Sequence, residues 1–297
     1  MIAAIYEIDP SLFTPDELRS DPAAVAAAEQ AYETNKSGPF AVLPSSFSYL
    51  PFADTIPTET RNTLSSLADK LEARPTFSQR KIDVLRHRLK TTTQQRTGQI
   101  EFLFDVGNWS EQLAPQPGKK YGTILQMLQY PFSHGSTHIP PKGTGGSKVT
   151  AAQKPIIDPK FYEGEWGQLD LLAMKACANF GNRIAHTAPL SDIVVKRVWP
   201  EERREGEAVE AADARLGEWL AASTVTDWHP VGTCGMGGDE GSKGGVVDAS
   251  LRVYGVKGLR VADASVMPLQ ISAHLQATVY AIAEKAAALI LEDAGLV

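Results

Sequence analysis

A chain of 297 residues with 43% hydrophobic and 22% charged side chains has a globular composition and is long enough for one large domain or two ordinary ones. Its net charge of −6 and the absence of any Lys/Arg-rich run argue against a general nucleic-acid binder. No stretch approaches the roughly 18 apolar residues of a membrane helix, and the opening Met1-Ile2-Ala3-Ala4-Ile5-Tyr6-Glu7 lacks the basic start of a signal peptide.

Residues 14–34 begin with a Thr cap, place acids in the first turn and continue Ala-rich, which predicts a helix ended by Ser37-Gly38-Pro39. Prolines make 44–51 extended or turn-like, and a polar helix is expected over 57–73. Alternation predicts strands over 98–104 and 122–130, followed by a Gly/Pro/Lys/Ser loop over 140–155. Helices are expected over 167–187, about 202–222 and 273–293. The last carries Leu275, Val279, Ile282, Ala283, Ala286, Leu289 and Ile290 on one side. Helices and strands interleave irregularly, so a mixed architecture is favoured. The composition shifts near residue 223, where a domain boundary is expected.

Cys177 and Cys234 form no CxxC, and buried apolar roles suit them better than a disulfide or a nucleophile. No His/Cys cluster has zinc-ligand spacing, so no metal is expected. Asn35-Lys36-Ser37 and Asn108-Trp109-Ser110 fit the glycosylation triplet and are compatible with secretion, but they leave localisation open.

Chemistry concentrates after residue 226. The run Asp227-Trp228-His229-Pro230-Val231-Gly232-Thr233-Cys234-Gly235-Met236-Gly237 is rich in glycines that permit tight turns. Leu259-Arg260-Val261-Ala262 reads as a short strand ending at Asp263, with Ala264 and Ser265 just beyond. Ser272 is a plausible cap for a helix opening near His274. The positive end of that helix would favour a negative charge such as that on a reduced flavin. His87, His138 and His186 read as structural or surface residues. His229 and His274 stand out because both abut the same expected sheet edge. A neutral imidazole can take a hydroxyl proton while a second orients the alkoxide.

The stretch 229–292 resembles the C-terminal signature of the glucose–methanol–choline (GMC) oxidoreductases. Looser matches at Ser37-Gly38-Pro39, Tyr130 to Ser136, Pro155 to Pro159 and Trp199-Pro200 fall in the same order. The His274 form, with Ser-Ala before it, looks most like the fungal glucose oxidase, glucose dehydrogenase and aryl-alcohol oxidase branch.

The resemblance implies an α+β fold. Residues 1–222 would form a substrate-binding domain, an antiparallel sheet with helices and an N-terminal connecting segment. Residues 223–297 would be the C-terminal part of an FAD-binding α/β domain. It implies FAD as cofactor and a small-molecule alcohol or sugar as partner, with oligomeric state open. His229 would be the base and His274 its partner, with hydride passing to flavin N5. Asp263 and Ala264 would face the ribityl and pyrophosphate region, and Leu275 and Gln276 the pyrimidine edge. Arg252 and Val253 match the oxygen-side cavity, although Arg252 suits a structural salt bridge equally well.

Two departures stand out. The GxGxxG phosphate cradle is absent, since Gly143-Thr144-Gly145-Gly146-Ser147 follows prolines and does not complete the spacing. The N-terminal nucleotide-binding part is therefore expected to be missing. His134 stands where relatives often carry Arg. The alternatives to an alcohol oxidase or dehydrogenase are a non-redox cyclase or dehydratase on the same scaffold, and an inactive fragment.

Overall fold

The computed structural model describes residues 1–42, 45–74, 77–90, 97–141, 150 and 152–296. The rejected Gly143–Ser147 cradle, most of the expected 140–155 loop, and Pro44 lie outside the described residues.

Among the described residues, seven strands run in chain order: β1 (Ile2–Ile8), β2 (Ser45–Leu50), β3 (Ile100–Val106), β4 (Lys120–Leu128), β5 (Ser136–His138), β6 (Ile156–Asp158) and β7 (Val194–Trp199). The helices are α1 (Asp16–Ser20), α2 (Pro22–Asn35), α3 (Phe52–Thr55), α4 (Thr58–Ala68), α5 (Gln79–Leu89), α6 (Gly164–Ala185), α7 (Val209–Ser223) and α8 (Gln276–Asp293). The chain divides into two compact units. The first comprises residues 1–61, 91–128 and 171–225, and the second 62–90, 129–170 and 226–297.

In the first unit a five-stranded antiparallel sheet has the order β2-β3-β4-β1-β7. Strands β3 and β4 fall on the two expected runs. The interior strand β1 arises from Ile2-Ala3-Ala4-Ile5-Tyr6-Glu7-Ile8, nearly continuous in apolar residues, with Ala4, Ile5 and Tyr6 buried in succession. The apolar face of β3 and β4 packs on the second half of α6: Phe102, fully buried, lies 5.5 Å from Phe180 between ring centroids. A Cβ at Gly181 would come within 2.7 Å of Gln126 Nε2, so the absence of a side chain there lets the helix approach β4 closely.

The expected 14–34 helix is broken in two. Asp21 precedes Pro22 and is held extended at φ −125°, ψ 105°, as the proline ring requires. Its carboxylate then accepts the Ala23 N–H at 2.8 Å and caps α2. The helix expected from 202 begins at Val209 instead. Before it, Arg215 reaches back to the Glu201 and Glu202 carbonyls and the Glu207 carboxylate, holding 201–207 as a turn.

In the second unit α5 buries Ile82, Leu85 and Leu89 at helical spacing. Val247, Leu251, Val266 and Ala286 form a separate apolar cluster around which Met236, Val253, Val261 and Ile282 pack. Ala286 is the only residue of α8 that is buried, and Tyr280 and Ile290 on the same helix are exposed. The expected strand 259–262 reduces to one bridge, Arg252 to Arg260. The expected boundary near 223 lies beside the last crossing between units, at 225–226. Residues 62–90 and 129–170 cluster with the tail.

His134 is half-buried, stacked 4.6 Å from Phe77 and edge-on to Trp166 at 5.4 Å, so in this chain it is a packing residue. Burial pushes its pKa down. Nearby, buried Asp170 accepts the Phe132 and Ser133 N–H groups, each at 2.8 Å, and the Ser133 hydroxyl. Those bonds favour the carboxylate, but burial outweighs them and raises the pKa to about 6. The folded state therefore binds this proton more tightly than the unfolded chain does. The resulting stabilisation is complete below the ordinary value of 3.8 and is lost as pH rises through about 6. We expect Asp170 to make the chain about 1 kcal/mol more stable at pH 5 than at pH 7.5. Urea midpoints at the two pH values should show this difference in the wild type and not in D170N. Equal differences in the two proteins would refute it.

Candidate functional site

His229 sits in a turn built by its neighbours. Trp228 is left-handed at φ 54° and 71% exposed, a conformation disfavoured for a bulky residue. Its N–H donates to Thr226 Oγ1 at 3.2 Å. The turn brings Asp227 Oδ2 to 3.2 Å from His229 Nδ1, and each of these side chains is 22% exposed.

The loop after His229 is zipped to the segment that leads to His274. Cys234 N–H donates to Ser265 O at 3.0 Å and Met236 N–H to Val266 O at 2.9 Å. Gly232 makes the turn at φ 86°. A Cβ at Gly245 would meet Gly235 O at 2.2 Å, so only glycine lets these two backbones lie so close. Residues 45 positions apart in sequence are thereby placed side by side: the rings of His229 and His274 lie 5.2 Å apart at 66°.

The helix starts later than expected. Its first residue is Gln276, so His274 stands in the exposed turn before it. The N-cap position is Leu275, with no side-chain cap and no acid in the first turn, so Ser272 does not cap this helix. The uncapped N–H groups carry the helix's positive end with no carboxylate from its first turn to offset it.

The remaining expected site residues divide into two groups. Asp263 is exposed, and its Oδ1 accepts the Ser265 N–H at 2.9 Å, capping the short turn Ala264–Val266. With Ala264 it belongs to the segment paired to the His229 loop. Leu275 is buried and Gln276 exposed, both directly after His274. Arg252 is not brought to the pair. Its guanidinium binds Asp293, which Arg260 also binds. Those hydrogen bonds, first from Arg252 and then from Arg260, hold the Asp293 carboxyl below its usual range. Asp293 ends α8, about 25 Å along the helix axis from Gln276. Val253 packs on the apolar cluster. The geometry at Arg252 is that of a structural salt bridge.

Asp227 was not singled out by the sequence reading. The Asp-Trp-His spacing was visible, but i and i+2 side chains meet only where the residue between them folds the backbone. Cys177 and Cys234 are free thiols. Among the described residues, no group of three or more His, Cys, Asp or Glu could hold a metal ion. No described helix is long and apolar enough to cross a membrane.

The family described as GMC oxidoreductase, C-terminal, matches residues 146–283. An uncharacterized GMC-type oxidoreductase of Mycobacterium tuberculosis is 41% identical over 172 residues, covering 56% of this chain and 31% of the relative. A dehydrogenase of Monascus purpureus is 28% identical over 312 residues, covering 99% of this chain and 47% of its own. In fold, the chain is similar to a variant of formate oxidase from Aspergillus oryzae, with a TM-score of 0.72, 22% identity, and coverage of 98% and 46%. It is similar also to a fungal aryl-alcohol oxidase, with a TM-score of 0.66, 24% identity, and coverage of 99% and 47%. The chain thus spans between about a third and a half of the length of these proteins. Residues 146–283, which carry both histidines of the pair, match the C-terminal part of the GMC oxidoreductases, a family of flavin oxidoreductases.

Proposed function

We propose that this chain carries the proton-accepting centre of an FAD-dependent oxidoreductase acting on the CH–OH group of a primary alcohol, sugar or secondary-metabolite alcohol. The observation that carries this reading is the 5.2 Å separation of the His229 and His274 rings. At that spacing one oxygen can lie within hydrogen-bonding reach of a nitrogen from each ring. His229 takes the hydroxyl proton, and His274 hydrogen-bonds the same oxygen and holds it as the C–H bond breaks.

The residues around the pair suit a flavin. The uncapped start of α8, free of acids, offers backbone N–H groups to an anionic ring edge. Leu275 and Gln276 stand at that helix start, and the Asp263-Ala264 turn is on the segment leading to it. FAD, when bound, supplies the acceptor for the hydride leaving the carbon.

The test is to supply the chain with excess FAD, mix it anaerobically with aryl, aliphatic and sugar alcohols, and follow the visible absorbance of oxidised flavin. Bleaching with at least one class supports the reading. Conversion of an alcohol to a cyclised or dehydrated product while the flavin stays oxidised would overturn it.

A further inference from the structure

We infer that Asp227 is the positioning residue of the histidine pair, holding His229 in the tautomer that carries its hydrogen on Nδ1 and leaving Nε2 as the proton acceptor. The inference rests on the reading of His229 as the base and adds to it a named residue and a named atom.

Three observations carry it. First, Asp227 Oδ2 lies 3.2 Å from His229 Nδ1. A carboxylate cannot donate, so at this ion-pair distance a hydrogen on the facing ring nitrogen is favoured over a lone pair there, and a neutral imidazole then has its lone pair on the other nitrogen.

Second, the backbone is bent to make this contact. In an extended chain, residues i and i+2 are about 6.6 Å apart along the strand. Left-handed Trp228 shortens that span, and the Trp228 N–H to Thr226 Oγ1 bond fixes the bend. A bulky aromatic residue in the left-handed region costs on the order of 1–3 kcal/mol, which the surrounding structure must offset.

Third, both side chains are equally sheltered, at 22% exposure, so water screens the pair less than it would an open surface pair. His274 stands beside the dyad, with its ring 5.2 Å from that of His229.

The proton balance is simple. The alcohol O–H proton would pass to His229 Nε2, and the C–H electron pair would leave with the hydride, for which a bound flavin would be the acceptor. Asp227 takes no proton in this step and faces the imidazolium that would form. A carboxylate so placed fixes ring orientation and stabilises the charged ring without exchanging a proton itself.

The test uses the 297-residue chain with its histidine rings labelled with 15N, and requires neither flavin nor substrate. The His229 signals are identified as those missing in H229Q. We expect wild type, at a pH where the ring is neutral, to show a protonated Nδ1 and an unprotonated Nε2. D227A should shift His229 towards the Nε2–H form favoured by the free side chain, with near-ultraviolet circular dichroism unchanged. An Nε2–H ring in wild type, or a D227A spectrum identical to wild type, would overturn the inference. If D227A does not fold, the wild-type spectrum decides alone. In the FAD-supplied chain, D227A should slow flavin reduction on the order of 100-fold with little change in the alcohol concentration giving half-maximal rate. If no alcohol bleaches the flavin while the wild-type ring is protonated on Nδ1, the oxidoreductase reading has failed and the dyad stands.

Discussion

Replacing His229 with alanine should lower the rate at which alcohol reduces the flavin by on the order of 10²–10⁴-fold, the range that loss of a positioned general base produces. The loss should appear in the rate of flavin reduction more than in apparent alcohol affinity, because the proton is transferred in the transition state. H274A should cost less, since His274 shares the oxygen without taking its proton. Stopped-flow absorbance with a single alcohol measures all three proteins. An H229A rate within about threefold of wild type would remove His229 from the chemistry. The effect should be local. The backbone pairing of 234–236 with 265–266 holds the two segments together without the His229 ring, so H229A should unfold within about 1 kcal/mol of wild type.

The largest stability effect is expected at Phe102, not at the histidines. Its ring is fully buried on β3, pairs with Phe180 at 5.5 Å and lies under α6 where Gly181 permits close approach. Truncation to alanine removes the buried ring and leaves a cavity between sheet and helix. F102A should therefore destabilise the chain by about 3–5 kcal/mol, a large share of the roughly 5–15 kcal/mol of a typical domain. Urea unfolding followed by far-ultraviolet circular dichroism reads this directly. A loss below about 1 kcal/mol would mean that this face of the sheet is not packed as described.

Several elements could be read from local pattern because local physics dictates them. Strands β3 and β4 follow short apolar runs rich in Ile, Phe and Leu, and α6 and α8 follow helical spacing over many turns. Strand β1 escaped notice because successive residues are buried along it, so it lacks the alternation that marks a half-exposed strand. Helix α5 buries only Ile82, Leu85 and Leu89 in a strongly basic stretch, a faint stripe that only its packing reveals. At Asp21-Pro22 the break was written in the sequence, and the rule that the residue before proline is held extended accounts for it.

The sequence by itself determined the kinds of residue available at the site: a histidine in a glycine-rich turn, a second histidine before a long helix, and the family signature spanning both. Tertiary structure alone decided that the two rings stand 5.2 Å apart, that Arg252 is committed to Asp293 at the far end of α8, and that Asp227 reaches His229. The physical reason is that these placements depend on backbone pairings and one left-handed turn. Hydrogen bonds between residues some 30 positions apart leave no periodic trace in the chain that makes them.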